Sequence, residues 1–107
     1  MLFRSATDLT GRTLSLSVFV ESASGVLWAR LHSLDATWVW AQANTSALTA
    51  GTWTRLSAPI ASISSNPTSV RQFGVQVGPQ GWDFSGSAGA GGAPGSAVVY
   101  VDDVVIE

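Results

Sequence analysis

The chain alternates apolar and polar residues in short runs separated by Gly, Pro, Ser and Asn, the pattern of strands joined by turns. In TLSLSVFVE (13–21), Leu14, Leu16, Val18 and Val20 share one face and Ser15, Ser17, Phe19 and Glu21 the other. VLWARLHSL (26–34) sets Leu27, Ala29 and Leu31 against Trp28, Arg30 and His32. Asp35-Ala36 then turns the chain into TWVWAQA (37–43). After NTSALTAGT, read as a loop, come WTRLSAPI (53–60), VRQFGVQV (70–77) and AVVYVDDVVI (97–106). No stretch carries a sustained apolar period of 3.6 residues, so no major helix is expected. Six short strands at this spacing predict an all-β domain, an antiparallel β-sandwich of the jelly-roll kind.

A jelly roll needs about eight strands, so the count places the missing first strands before residue 8. The tetrapeptide LFRS at residues 2–5 agrees with that expectation. It is what CTC TTC CGA TCT, the end of a common short-read sequencing adapter, encodes in one frame. Residues 1–5 are therefore set apart as a sequencing scar, and 6–107 are read as a single sandwich domain. The segment GPQGWDFSGSAGAGGAPGS (78–96) has little to bury and is read as a long surface loop. Its glycines lack phosphate-loop spacing and lead into a strand rather than a helix.

Composition narrows the function. The chain is 46% apolar but only 11% charged, and its apolar residues never run long enough to span a bilayer. Its five positive charges (Arg4, Arg12, Arg30, Arg55, Arg71) are scattered, unlike the concentrated basic face of a nucleic-acid reader. Cysteine is absent, which excludes a disulfide framework and thiolate metal sites. Lysine is absent too, a bias that suits a GC-rich, bacterial coding sequence.

The single histidine, His32, and the seven acids (Asp8, Glu21, Asp35, Asp83, Asp102, Asp103, Glu107) form no nucleophile elbow and no facing carboxylate pair. A non-catalytic role is expected. Aromatics and amides suggest binding instead. Sugars present C–H faces and rims of hydroxyls, which exposed rings and planar hydrogen-bonding side chains recognise. The faces turned from the core offer Trp28, Arg30 and His32 on one strand and Trp38, Trp40 and Gln42 on the next. Gln72 and Gln76 flank Gly74, which would leave a flat floor between two amides, and Trp82 stands at the mouth of the glycine-rich loop. The blander alternative is a solvated outer face for Arg30, His32 and the two glutamines. Trp53, just after a turn, is read as a core plug. Asp102 and Asp103, inside an apolar strand, are either wet at a sheet edge or partnered by a hard cation such as Ca²⁺.

The succession GRTLSLSVFV, TWVW, LTAGTWTRLS, RQFGVQVG and VVYVDDVVI resembles the C-terminal two-thirds of a jelly-roll carbohydrate-binding module. It is most similar to the galactose-binding-like modules attached to bacterial mannanases and other plant-cell-wall hydrolases. The likeness covers roughly residues 8 to 106 and is carried by Gly51-Thr52-Trp53-Thr54 and by the Tyr100-to-Asp103 element. It implies non-catalytic binding of mannan, cellulose or a related β-glycan, a covalently attached hydrolase as partner, and secretion. It also implies a structural Ca²⁺ with Asp102 as one ligand, another ligand lying in a region upstream of the likeness. Family sites lie on the concave sheet, where the TWVW strand would serve, or in end loops, where Trp82 would; the glycine-rich run departs from the family pattern there. The competing expectation is a structural or protein-interaction sandwich of a secreted or surface protein.

Overall fold

A computed structural model describes residues 1–21, 27–79 and 98–107. The described chain forms eight strands: β1 (Leu2–Thr7), β2 (Thr13–Val20), β3 (Leu27–Asp35), β4 (Trp40–Gln42), β5 (Ser46–Leu48), β6 (Trp53–Pro59), β7 (Val70–Pro79) and β8 (Val99–Ile106). They make two antiparallel sheets. One has the order β1-β7-β3-β4, with β5 also pairing β3; the other has the order β6-β2-β8. The molecule is an antiparallel β-sandwich, as its alternation indicates. A single α-helical turn (α1, Ile60–Ile63) and a 3₁₀ turn (Pro67–Ser69) bridge β6 to β7.

The period of two decides what lies between the sheets. Leu14, Leu16, Val18 and Val20 of β2 are all buried, while Ser15, Ser17 and Phe19 point away. Leu56 and Ala58 of the neighbouring β6 lie beside them in the same sheet, and Ala29 and Leu31 of β3 and Phe73 of β7 face them from the other. Ile60 and Ile63 of α1 close one end of the core at 0% exposure. Ser33, also fully buried, donates its hydroxyl to the Ile63 carbonyl, so this polar core residue is satisfied.

Two strands lie where the sequence suggested none. Ser46–Leu48, read as loop, forms β5 and lowers Leu48 into the core. Residues 2–5, set apart above, lie in β1, which pairs with β7 through Leu2↔Gln72 and Thr7↔Val70. Phe3 packs on Phe73 with ring centroids 5.6 Å apart. Gly78 and Pro79, read as the start of the glycine-rich loop, instead end β7; the rest of that connection and Trp82 fall on residues 80–97, outside the described residues.

The turn after β3 is organised by one carboxylate. Asp35 Oδ1 accepts hydrogen bonds from the Thr37 N–H and hydroxyl at 2.8 Å and from the Val39 N–H at 3.0 Å. Its Oδ2 accepts from the Ser65 hydroxyl at 2.8 Å, tying the turn to the segment after α1. This Asx turn carries Trp38 at φ 63°, a left-handed conformation that a large side chain adopts only under constraint. Trp38 therefore lies in the turn, and the strand expected over 37–43 shortens to Trp40–Gln42.

Hydrogen bonds from Val39, Ser65 and Thr37 hold the Asp35 carboxyl down at about 2. An unfolded aspartate titrates near 3.9, so between these values the unfolded chain holds more protons and stability rises with pH. Asp35→Asn should lower the melting temperature at pH 7. That gap should shrink as pH falls from about 4 to about 2. A gap constant across that window in pH-resolved thermal melts would contradict this role for the charge.

Candidate functional site

The outer face of the five-stranded sheet gathers most of the expected site residues. The β3–β7 register sets Trp28 opposite Gly78, Arg30 opposite Gln76, His32 opposite Gly74 and Leu34 opposite Gln72. On the other side of β3, His32 pairs with Gln42 and Leu34 with Trp40. Side chains at alternate positions of adjacent strands then touch, which is how a sheet builds a contiguous surface from distant sequence.

Arg30 donates from Nε to Gln76 Oε1 at 2.8 Å, and its guanidinium carbon stands 5.6 Å from the Trp28 ring centroid. The His32 ring stacks on Trp40 with centroids 4.1 Å apart and planes inclined by 13°. The Trp40 indole N–H donates to Gln42 Oε1. With one face on His32 and 43% of its surface exposed, Trp40 offers its other face outward. A stacking ring fixed from below by a second ring loses little entropy when a ligand settles on it.

Arg30 and His32 are not the wet residues that their outward position suggested. They are only 6% and 9% exposed, because Trp28, Trp40 and Gln76 cover them. They position the surface rather than form it. Nor is Gly74 an open floor between Gln72 and Gln76. A Cβ there would lie 2.9 Å from His32 Nε2, and one at Gly78 would lie 2.2 Å from Trp28 Cζ2. The two glycines let rings from β3 lie flat across β7. Gln72 and Gln76 remain half-buried on either side.

Burial lowers the pKa of His32, with smaller contributions from the positive Met1 amino group and Arg30. The imidazole is therefore neutral at pH 7, and its buried Nδ1 has no hydrogen-bond partner among the described residues.

Trp38 does not join this group. From the turn, 55% exposed, it instead meets Arg71, whose guanidinium carbon lies 5.2 Å from the ring centroid. Trp53 is not a core plug either. It is 50% exposed on the outer face of the three-stranded sheet, against Phe19. The signal was in its own strand: Leu56 and Ala58 are the buried parity of β6, and Trp53 has the other.

Asp102 is exposed on β8, an edge strand, and its Oδ1 accepts the Asp103 N–H at 2.8 Å. Asp103 sits at φ 52° where the β2–β8 register shifts, a bulge that turns both acids outward. Among the described residues no group of three or more His, Asp or Glu could hold a metal ion.

No protein-family model, curated protein or solved structure matches this chain.

The interlock between β3 and β7 is open to test. Gly74→Ala should push His32 outward and take Trp40 with it, lowering the melting temperature and changing the tryptophan near-UV circular dichroism. An unchanged aromatic spectrum would show that the rings do not depend on that glycine. Because the His32 pKa is lowered, the unfolded chain binds the extra proton first as pH drops below about 6.5. His32→Gln should remove that part of the acid-induced loss of stability. If the loss below about pH 6.5 persists unchanged in the variant, His32 is not its source.

Proposed function

We propose that this domain binds polysaccharide, without catalysing its cleavage, on the outer face of its five-stranded sheet, and so holds an attached glycoside hydrolase against a β-glycan such as mannan or cellulose. The observation that carries the reading is the Trp40 ring, stacked on buried His32, 43% exposed and with the Gln42 amide at its rim. A pyranose ring laid on Trp40 would meet the Gln42 side chain, which already accepts from the Trp40 N–H. Gln76, held by Arg30, and Gln72 supply further planar donors and acceptors along β7. Trp28 extends the surface along β3, its ring set against the Arg30 guanidinium.

The supporting layer is as important as the contact layer. His32 and Arg30 are held by neighbours in the same sheet, so the surface is formed before ligand arrives. The resemblance to carbohydrate-binding modules supports the same class of ligand and the secreted setting.

Native affinity electrophoresis in gels containing mannan, xylan or β-glucan tests the reading. The unmodified protein should be retarded in at least one gel. Trp40→Ala should weaken binding by on the order of 1–3 kcal/mol, by analogy with ring stacking on bases. Thermal melts should show the variant still folded, since Trp40 lies on the outer face of the sheet and outside the core between the sheets. No retardation in any gel would favour the structural or protein-interaction role instead.

A further inference from the structure

We infer that the outer face of the three-stranded sheet is a second saccharide-binding surface, centred on Trp53. For its class of ligand this inference rests on the polysaccharide reading above, but its residues are a separate set on the opposite side of the sandwich.

The register across β6, β2 and β8 sorts this face into successive rows. Trp53, Phe19 and Tyr100 lie side by side, Phe19 pairing with both neighbours. The Phe19 ring centroid is 5.2 Å from that of Trp53 and 6.2 Å from that of Tyr100. The next outward row is Arg55, Ser17 and Asp102. Rows two residues apart along a strand are separated by about 6.6 Å, so an aromatic strip runs beside a polar strip within reach of one sugar ring.

The polar row is fixed. Arg55 Nη1 donates to Ser17 Oγ at 3.1 Å and to the Asp103 carbonyl at 2.8 Å, spanning all three strands. Tyr100 donates its hydroxyl to Glu21 at 3.1 Å, which anchors the far end of the aromatic row. A depression of about 300 Å³ lined by Ser17, Trp53, Asp102 and Asp103 lies where the two rows meet. Trp53 and Tyr100 are each 50% exposed, an expensive way to display large rings unless something covers them.

The chemistry fits a sugar. The indole offers a flat apolar face for the C–H surface of a pyranose. The carboxylates of Asp102 and Asp103 accept hydrogen bonds only, and a sugar hydroxyl donates them. A second copy of this chain fits less well. Antiparallel pairing of two β8 edges would bring Asp102 and Asp103 of both copies together, where like charges repel.

The experiment compares the unmodified protein with Trp53→Ala, Trp40→Ala and the double variant in mannan, xylan and β-glucan gels, with thermal melts alongside. Trp53→Ala should lower affinity roughly tenfold while leaving the melt nearly unchanged. Adding Trp40→Ala should remove the remaining retardation. Asp102→Asn, exposed on the edge strand, repeats the test without removing a ring and should weaken binding severalfold. The inference is overturned if Trp53→Ala and Asp102→Asn both migrate as the unmodified protein does while Trp40→Ala abolishes retention. If the unmodified protein is retarded in no gel, this inference and the reading on which it rests both fail.

Discussion

The antiparallel pairing of β3 with β7 is the contact on which the rest depends. It runs from Leu27↔Pro79 to Asp35↔Val70 and fixes both faces of the larger sheet at once. Inward, it sets Ala29, Leu31 and Phe73 against β2 and β6. Outward, it lays His32 over Gly74, Trp28 over Gly78 and Arg30 against Gln76. A slip of one residue would exchange these sets, forcing the Arg30 guanidinium between the sheets and exposing the core. The glycines are the reason that large rings can lie on this sheet rather than stand up from it.

The two outer faces use one device in different proportions. On the larger sheet, rings and charges are nested: Trp40 covers His32, and Trp28 and Gln76 flank Arg30. On the smaller sheet the aromatic row stays open, and Arg55 is tied down by a hydroxyl and a carbonyl. Both arrangements hold long side chains in place through contacts within the sheet itself. The Asp35 turn belongs to the same scheme, because it decides where β3 ends and therefore where Trp40 can meet His32.

Much of this was legible in the sequence wherever a period of two ran uninterrupted. Leu14 to Val20 named the buried face of β2 correctly, and the parity of β3 placed Trp28, Arg30 and His32 together. The misreadings came where the period breaks. Trp38 was assigned to a strand because alternation alone does not reveal that Asp35 bends the chain for four residues beyond it. Gly74 read as open space because sequence does not say which ring on the partner strand will fill it. Trp53 reads as a core plug from its place just after a turn, but the parity set by Leu56 and Ala58 puts it on the outer face. The segments at 2–7 and 46–48 become strands through their partners β7 and β3, not through propensity of their own.

The central claim is that Trp40 and the amides around it form a saccharide-binding surface. Side-chain NMR of the ¹⁵N-labelled protein titrated with soluble manno-, xylo- and gluco-oligosaccharides tests it most directly. The account predicts that the Trp40 indole N–H and the side-chain amides of Gln42 and Gln76 shift together and saturate with one affinity for at least one of these sugars. Titrations in which those resonances stay fixed, while the protein remains folded, would contradict it.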